Sequence, residues 1–562
     1  MEFPRVTAAD WRAQVDKELA GRSFEAALVH EAMKQVLVAP LYTEAPPAHL
    51  LWREPGEGTF RICMRGGRGV TREDLAADVA GGADALWLGL EEARDSALPP
   101  ADLARLFFVL DVDGASSGEA VPASISALGS RFALNLDPIS QRARGAAPFA
   151  TLAGDLTALG GIARAVAEGA PDATSVMVST LPYHDAGADA ADELALALSS
   201  GVRYLEALLD AGLSPARAAR SIAVQIAVGR DTFVELCKLR ALRTCWRKLL
   251  TAAGAGEERT LVHAVCSART LTVRDPWVNM LRTTTQVFSA VLGGADLVTP
   301  SAFDQVFGAP SLLGRRVARN TGLVLREESF LGRVTDPVGG SYYFETLTDA
   351  LAREAWGRFQ AIEREGGAVA ALESGRLAAR LGAAWGEQLA RIAKRRVPIL
   401  GVSEFANLDE ILPRAVPSDA PPPRAGALAE HREAAAFEAL RLRAERAASP
   451  PEALLVTLGP FSESRPRAGF AAGFFAAGGI RTRESVADEA AAIACLCGSD
   501  ERYAVEAASR ARALKASGCA RVLVAGRPGR LEATLREAGV DGFVFAGCDV
   551  IATLTQLLEE VS

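Results

Sequence analysis

Residues 175–212, "SVMVSTLPYHDAGADAADELALALSSGVRYLEALLDAG", run from a short apolar stretch through a polar turn into a long helical stretch. "SVMVST" (175–180) carries no charge and has the length of a buried strand, while "ADELALALSSGVRYLEALLDAG" (191–212) is long enough for a helix. The unit recurs. "ALWLGL" (85–90), "LFFVL" (106–110) and "FALNL" (132–136) precede it, and "SIAVQIAV" (221–228), "TLVHAVC" (260–266) and "ADLVT" (295–299) follow. "LGRVT" (331–335) is a weaker eighth candidate. Helical stretches such as "TFVELCKLRALRTCWRKLLTAAG" (232–254) lie between them. Strand–helix repetition at this count predicts a parallel sheet closing into a (β/α)8 TIM barrel. A long doubly wound sheet has a similar periodicity.

Outward from that core, Thr7 is an N-cap candidate with Asp10 in the first turn, and Trp11, Val15 and Leu19 recur at helical spacing up to Gly21. Such an amphipathic helix has to bury its stripe, either on a partner or on the chain's own barrel. Residues 351–400 read as helical, and "VPSDAPPPRAGALAEH" (416–431) is proline-rich and polar, as a linker is. Four more strands follow: "ALLVTL" (453–458), "AAIACLC" (491–497), "RVLVA" (521–525) and "GFVFA" (542–546), each leading into a helical run. They predict a small flavodoxin-like α/β domain. The expected divisions are an N-terminal helix and extended segment (1–79), a barrel (80–400), a linker (401–450) and an α/β domain (451–562).

The 562 residues suit two or three domains, and 49% hydrophobic with 23% charged residues is a globular balance. A net charge of -8 argues against a nucleic-acid surface. "MEFPRVTAADWRAQVDKELAG" has no signal-peptide core and no later run reaches about 18 apolar residues, so a cytoplasmic protein is expected. The eight cysteines (63, 237, 245, 266, 495, 497, 519, 548) show no C-x-x-C pair, so neither a zinc site nor a disulfide framework is expected. Cys495 and Cys497 share one face of a strand and read as small buried hydrophobes.

Few residues offer chemistry. Of five histidines (30, 49, 184, 263, 431), none lies beyond residue 431. Tyr183 and His184 follow the 175–180 strand at the end where barrel active sites form, with Asp185 and Asp189 positioned to cap the next helix. His184 reads equally as a general acid near a carbonyl or as a packed, hydrogen-bonded loop residue. His263, inside a strand, reads as a satisfied core residue. After the strand at 453–458, Ser462, Glu463, Ser464, Arg465 and Arg467 read as a loop with no imidazole and no phosphate cradle. No P-loop, Rossmann fingerprint or serine-type triad stands in the sequence.

Several long stretches, in order, resemble the methylmalonyl-CoA mutase family: "APLYTEAPP" (39–47), "YHDAGADAADELALALSSGVRYLEALLDAGL" (183–213), "VRDPWVNMLRTTTQVFSAVLGGADLVTPSAFD" (273–304), "RRVARNTGLVLREES" (315–329) and "VTDPVGGSYYFETLTDALAREAW" (334–356). The resemblance implies an acyl-CoA barrel followed by a cobalamin-type domain. It also implies radical isomerisation of methylmalonyl-CoA and succinyl-CoA with adenosylcobalamin, as in propionate metabolism.

The departures from the family pattern are specific. The family holds cobalt from below with the His of a D-x-H-x-x-G loop. Here the corresponding loop is expected from Gly459 to Gly469, "GPFSESRPRAG", which has neither Asp nor His; Ser, Glu and Arg do not reproduce an imidazole donor. The family's T-I-R-Q-Y-A-G becomes "TFRICMRGG" (59–67) without the Tyr, and its T-x-Q-N-D becomes "LNLDPISQRAR" (134–144). His263 matches the His of R-T-H-S-Q-T-S-G, but Val265 stands where that motif has its Gln. Tyr183 and His184 match the family's Y-H pair, so Tyr183, His184 and His263 are vestigial candidates only. No catalytic, cofactor-binding or metal-ligating residue is assigned. The pattern resembles the small, or β, subunits of heterodimeric bacterial members. That implies a catalytic large (α) subunit as partner, with adenosylcobalamin on that subunit and none on this chain. The alternatives are an independent acyl-CoA mutase with unusual cobalamin binding, or a regulatory acyl-CoA-binding module.

Overall fold

The computed structural model describes residues 6–44, 59–95, 98–112, 131–146, 151–414 and 424–561. Helix α1 (Ala8–Leu19) starts at the Thr7 cap, where the Thr7 hydroxyl and the Asp10 carboxylate hold each other's backbone N–H groups. Its stripe turns onto the following short helix, with Trp11 edge-on to Phe24 at 6.1 Å and Arg12 over the same ring. A hairpin of His30–Met33 and Val36–Val38 comes next.

Eight parallel strands then form the barrel: β1 (Arg61–Arg65), β2 (Ala85–Gly89), β3 (Phe107–Asp111), β4 (Phe132–Asn135), β5 (Val176–Ser179), β6 (Ile222–Val228), β7 (Val262–Cys266) and β8 (Leu297–Thr299). The ladder runs β4-β3-β2-β1-β8-β7-β6-β5. A parallel bridge from Ala133 to Thr174, just ahead of β5, brings its two ends together. Seven of these strands lie where the apolar runs predict them.

The eighth does not. "LGRVT" (331–335) is a turn, with Gly332 at φ 89° and Asp336 at φ 48°, and left-handed residues interrupt an extended ladder. Its place is taken by β1, "RICMR", which carries an arginine at each end. The barrel therefore begins near residue 60, about twenty residues before the expected boundary at 80. Residues 45–58 of the expected extended segment lie outside the described residues.

Helices α2 (Ala190–Asp210), α3 (Thr232–Ala252), α4 (Tyr342–Arg364) and α5 (Arg376–Ala393) belong to the outer layer. Part of the expected linker, 415–423, lies outside the described residues, and its end is helix α6 (Ala435–Arg446). Phe437 of α6 shares a buried cluster with Ile392 and Val402 on the barrel side and Phe474 in the last domain, so the two domains pack through this seam.

That last domain has five parallel strands rather than the expected four. They are β9 (Glu452–Thr457), β10 (Arg481–Ser485), β11 (Ile493–Cys497), β12 (Arg521–Ala525) and β13 (Gly542–Val544), in the order β10-β9-β11-β12-β13. The added strand is β10, "RTRES". It has no apolar residue to mark it, because as an edge strand it pairs with β9 alone.

The loop expected from Gly459 to Gly469 is also corrected. Only Gly459 (φ 74°) and Pro460 form a turn, and helix α7 (Phe461–Ala477) starts directly after them. Ser462, Glu463, Ser464, Arg465, Arg467 and Gly469 are therefore all helical. Pro466 and Gly469 read locally as breakers, but the helix is fixed from one side: Ser464, Ala468, Ala471 and Phe475 recur at i, i+4, i+7 and i+11 and are all buried. Gly469 lies on the exposed face, with open space where a side chain would stand, and lines no ligand crevice.

Candidate functional site

Alternation along the strands points every second side chain into the barrel. Low in the lumen these are Cys63, Ala85, Val109, Ala133, Met177, Ala223 and Leu297, all buried against one another. Toward the carboxyl ends of the strands each strand supplies one polar or aromatic residue, and these form two arcs. In the first, the Arg65 guanidinium lies 4.1 Å above the Trp87 ring, the Trp87 indole N–H donates to Asp111 (2.7 Å), and the Asn135 amide donates to the same oxygen (2.7 Å). In the second, Ser179 donates to the Gln225 carbonyl oxygen (2.9 Å), the Gln225 amide donates to His263 Nδ1 (3.2 Å), and His263 Nε2 donates to Thr299 (2.8 Å). Trp87 meets His263 edge-on at 5.4 Å and joins the arcs.

The belt explains His263. Both ring nitrogens are used inside the protein, and burial together with the positive charge of Arg65 pushes its pKa down to about 3, so the ring is neutral at physiological pH.

His184 follows β5 in a short helix, Leu181–Asp185, rather than in an open loop. Its Nδ1 faces Glu193 Oε1 (2.9 Å) and its Nε2 faces Ser267 Oγ (2.7 Å). Thr180 donates to the other Glu193 oxygen (2.8 Å), and the ammonium of Lys238 bridges Glu193 (2.9 Å) and Glu235 (2.6 Å). Burial would raise the Glu193 carboxyl, but Lys238 and His184 outweigh it and hold its pKa at about 2. Burial and the Arg269 charge lower the pKa of His184, against the pull of Glu193. The ring is therefore neutral, donating from Nδ1 and accepting from Ser267. Serine, histidine and glutamate stand in the order of a nucleophilic triad. Ser267 is only 3% exposed, however, and its backbone N–H is bound to the Val228 carbonyl and so is not free to serve as an oxyanion donor. No nitrogen of His184 is left to protonate a substrate.

Tyr183 is buried beside it, near Ser140 and Ser200, with its hydroxyl in no well-formed hydrogen bond. Of the two candidate caps, Asp189 accepts the Asp192 N–H at the start of α2. Asp185 ends the short helix instead; burial and the nearby Glu430 raise its carboxyl to about 7, against Arg269 and Arg144. Residues 428–433 cross this end of the barrel as a strap. Leu428 N–H donates to Ala143 O, His431 N–H to Asp185 O, and Glu433 N–H to Arg269 O, while the Glu433 carboxylate pairs with Arg230 (3.1 Å).

The belt partners and the Glu193–Lys238 pair carry no motif. A signal was nevertheless present: polar residues at inward positions of otherwise apolar strands, as in "SVMVS" and "AVQIAV". Among the described residues no three His, Cys, Asp or Glu side chains converge as a metal site, and the eight thiols are free. Nor is any helix there long and apolar enough to cross a membrane. At the carboxyl ends of β9 and β11 the residues present do not fit a corrinoid. No imidazole stands in that domain, and arginine and tyrosine side chains of the chain itself occupy the crevice.

Residues 137–450 match the family described as Methylmalonyl-CoA mutase. A Streptomyces virginiae protein named methylmalonyl-CoA mutase small subunit is 37% identical over 621 aligned positions, covering all of this chain and 97% of that one. A Mycobacterium tuberculosis protein named probable methylmalonyl-CoA mutase small subunit is 40% identical across 68% of this chain, and the match spans just under two thirds (64%) of that relative. A Porphyromonas gingivalis protein named methylmalonyl-CoA mutase large subunit is 33% identical over 44% of this chain and 34% of its own length.

Proposed function

This chain belongs to the methylmalonyl-CoA mutase family, and from that premise we propose that it is the small subunit of a heterodimeric, cytoplasmic mutase that isomerises methylmalonyl-CoA and succinyl-CoA. In this reading it does no chemistry itself and supports a catalytic large subunit, which carries the adenosylcobalamin. When bound, that cofactor supplies the organic radical; no residue of this chain takes part in the step. The observation that carries the reading is the belt. Eight side chains, one from each strand, line the lumen in two arcs of mutual contacts where a substrate would lie, and His184 and His263 are fully engaged within the protein. Tyr183, His184 and His263 are then structural survivors of an ancestral site.

The test is reconstitution. The purified chain with adenosylcobalamin should show no turnover and should restore activity to a separately purified large subunit. Turnover by the lone chain would refute the proposal.

One observation favours a second reading, a module that holds an acyl-CoA for regulation. A cavity of about 760 Å³ opens at the amino-terminal end of the barrel, lined by Arg61, Arg131, Arg220, Arg243 and Arg259 around Asp296. Calorimetry with CoA esters separates the two readings: a saturable heat on the lone chain supports the module, and its absence leaves the subunit reading.

A further inference from the structure

In an open parallel sheet a ligand sits outside the carboxyl ends of the strands where the strand order reverses. Here that point lies between β9 and β11, with Gly459 after β9 and Gly498 after β11 beside it and Gly526 one strand further on, after β12. Glycines at such places let a ligand approach the backbone closely. Each of these is approached by a side chain of the same chain. A methyl group on Gly459 would lie 2.6 Å from Arg502 Nε, one on Gly498 3.4 Å from Arg502 Cβ, and one on Gly526 2.7 Å from Arg467 Nη1 and 3.3 Å from the Tyr503 ring.

Tyr503 is the buried centre of this arrangement. Its hydroxyl accepts the Gly498 N–H (3.0 Å) and lies 2.8 Å from the Ala525 carbonyl and 3.0 Å from that of Leu496, so one oxygen ties together the ends of β11 and β12. Arg467 covers its ring at 4.9 Å and pairs with Asp500 (2.6 Å), and Arg502 pairs with Glu463 (2.9 Å) at the rim. Tyr503 opens a π-helical turn, Tyr503–Ala507, a local widening that re-aims the residues of the turn that carries it.

We infer that Tyr503, with Arg467 and Arg502 above it, is an internal plug that takes the place of a ligand in the carboxy-terminal domain. A corrinoid is thereby excluded by occupancy and not merely by the missing histidine. The inference deepens the subunit reading and rests on it only for naming the corrinoid; reconstitution with a large subunit reports on that reading alone.

The test uses the full chain. Tyr503→Ala should open a void shaped like the lost ring. Millimolar p-cresol should then raise the melting temperature of this variant by about 2 °C or more and leave the wild type unmoved. A folded Tyr503→Ala protein that ignores p-cresol overturns the plug. Ser462→His, an exposed change in the first turn of α7, supplies an imidazole while keeping Tyr503 in place. Titrated with hydroxocobalamin, it should give no saturable absorbance change, as the wild type should not. Binding by either protein with Tyr503 intact overturns the plug even if Tyr503→Ala fails to fold.

Discussion

The barrel and the carboxy-terminal domain each bring the chain's own side chains together at the carboxyl ends of their strands, but at different depths. In the barrel the filling is a hydrogen-bonded belt in which Gln225 and His263 are fully buried. In the carboxy-terminal domain one buried tyrosine is capped by ion pairs at the rim, with Arg502 38% and Glu463 36% exposed. A buried polar group left without its partner costs its full desolvation, whereas an exposed ion pair is screened by water. The barrel's filling should therefore be part of what holds the fold, while the arginine cap should be removable.

The largest expected effect tests the buried side. Lys238→Met leaves Glu193 and Glu235 without their cation, and breaking a buried pair in this way costs about 3–5 kcal/mol. Urea unfolding should show the loss, and adding Glu193→Gln should recover part of it. A Lys238→Met protein as stable as the wild type would break the contrast at its strongest point.

Next, His263→Leu removes two hydrogen bonds, leaving the Gln225 amide N–H without its acceptor and Thr299 without its donor from the ring, for about 2 kcal/mol. The loss should be smaller at pH 6 than at pH 8. The unfolded chain takes up a proton near 6.5 that the folded chain, with His263 lowered to about 3, does not, so the wild type itself loses stability as pH falls through that value.

Asp185 has the opposite signature. Its carboxyl is raised from 3.8 to about 7 in the fold, so the folded chain holds a proton that the unfolded chain has lost. The resulting stability is complete below about pH 4 and disappears as pH rises through 7. Asp185→Asn should flatten this slope, gaining in melting temperature on the wild type between pH 5.5 and pH 8. An unchanged slope would mean that the strap does not bury this group.

The smallest effect is expected at the rim. Arg502→Ala should leave the melting temperature unmoved, and a large drop there would erase the distinction between the two fillings.

Much of the fold is legible in the chain itself. Seven barrel strands announce themselves as apolar runs because each is buried on both faces, and Thr7 with Asp10 marks the first helix by capping chemistry alone. The elements that carry no such mark are those whose neighbours decide their state. β1 has arginines because its ends reach the two mouths of the barrel, and β10 is polar because it lies at a sheet edge. The first turns of α7, through Gly469, are helical because one face packs on the sheet, against the local signals of Pro466 and the glycine. The candidate site shows the same division. Tyr183, His184 and His263 can be picked out by residue type, but their engagement cannot, since the partners of His184 lie 9 and 83 residues away.

By itself the sequence determined the class of fold, the order of its two domains and the lack of any imidazole in the second, because periodicity and composition are local properties of the chain. Only the tertiary structure decided that the lumen carries two hydrogen-bonded arcs, that His184 has no free nitrogen and that Tyr503 ties the ends of β11 and β12. Those facts depend on distances between residues far apart in sequence, and such distances are set by packing.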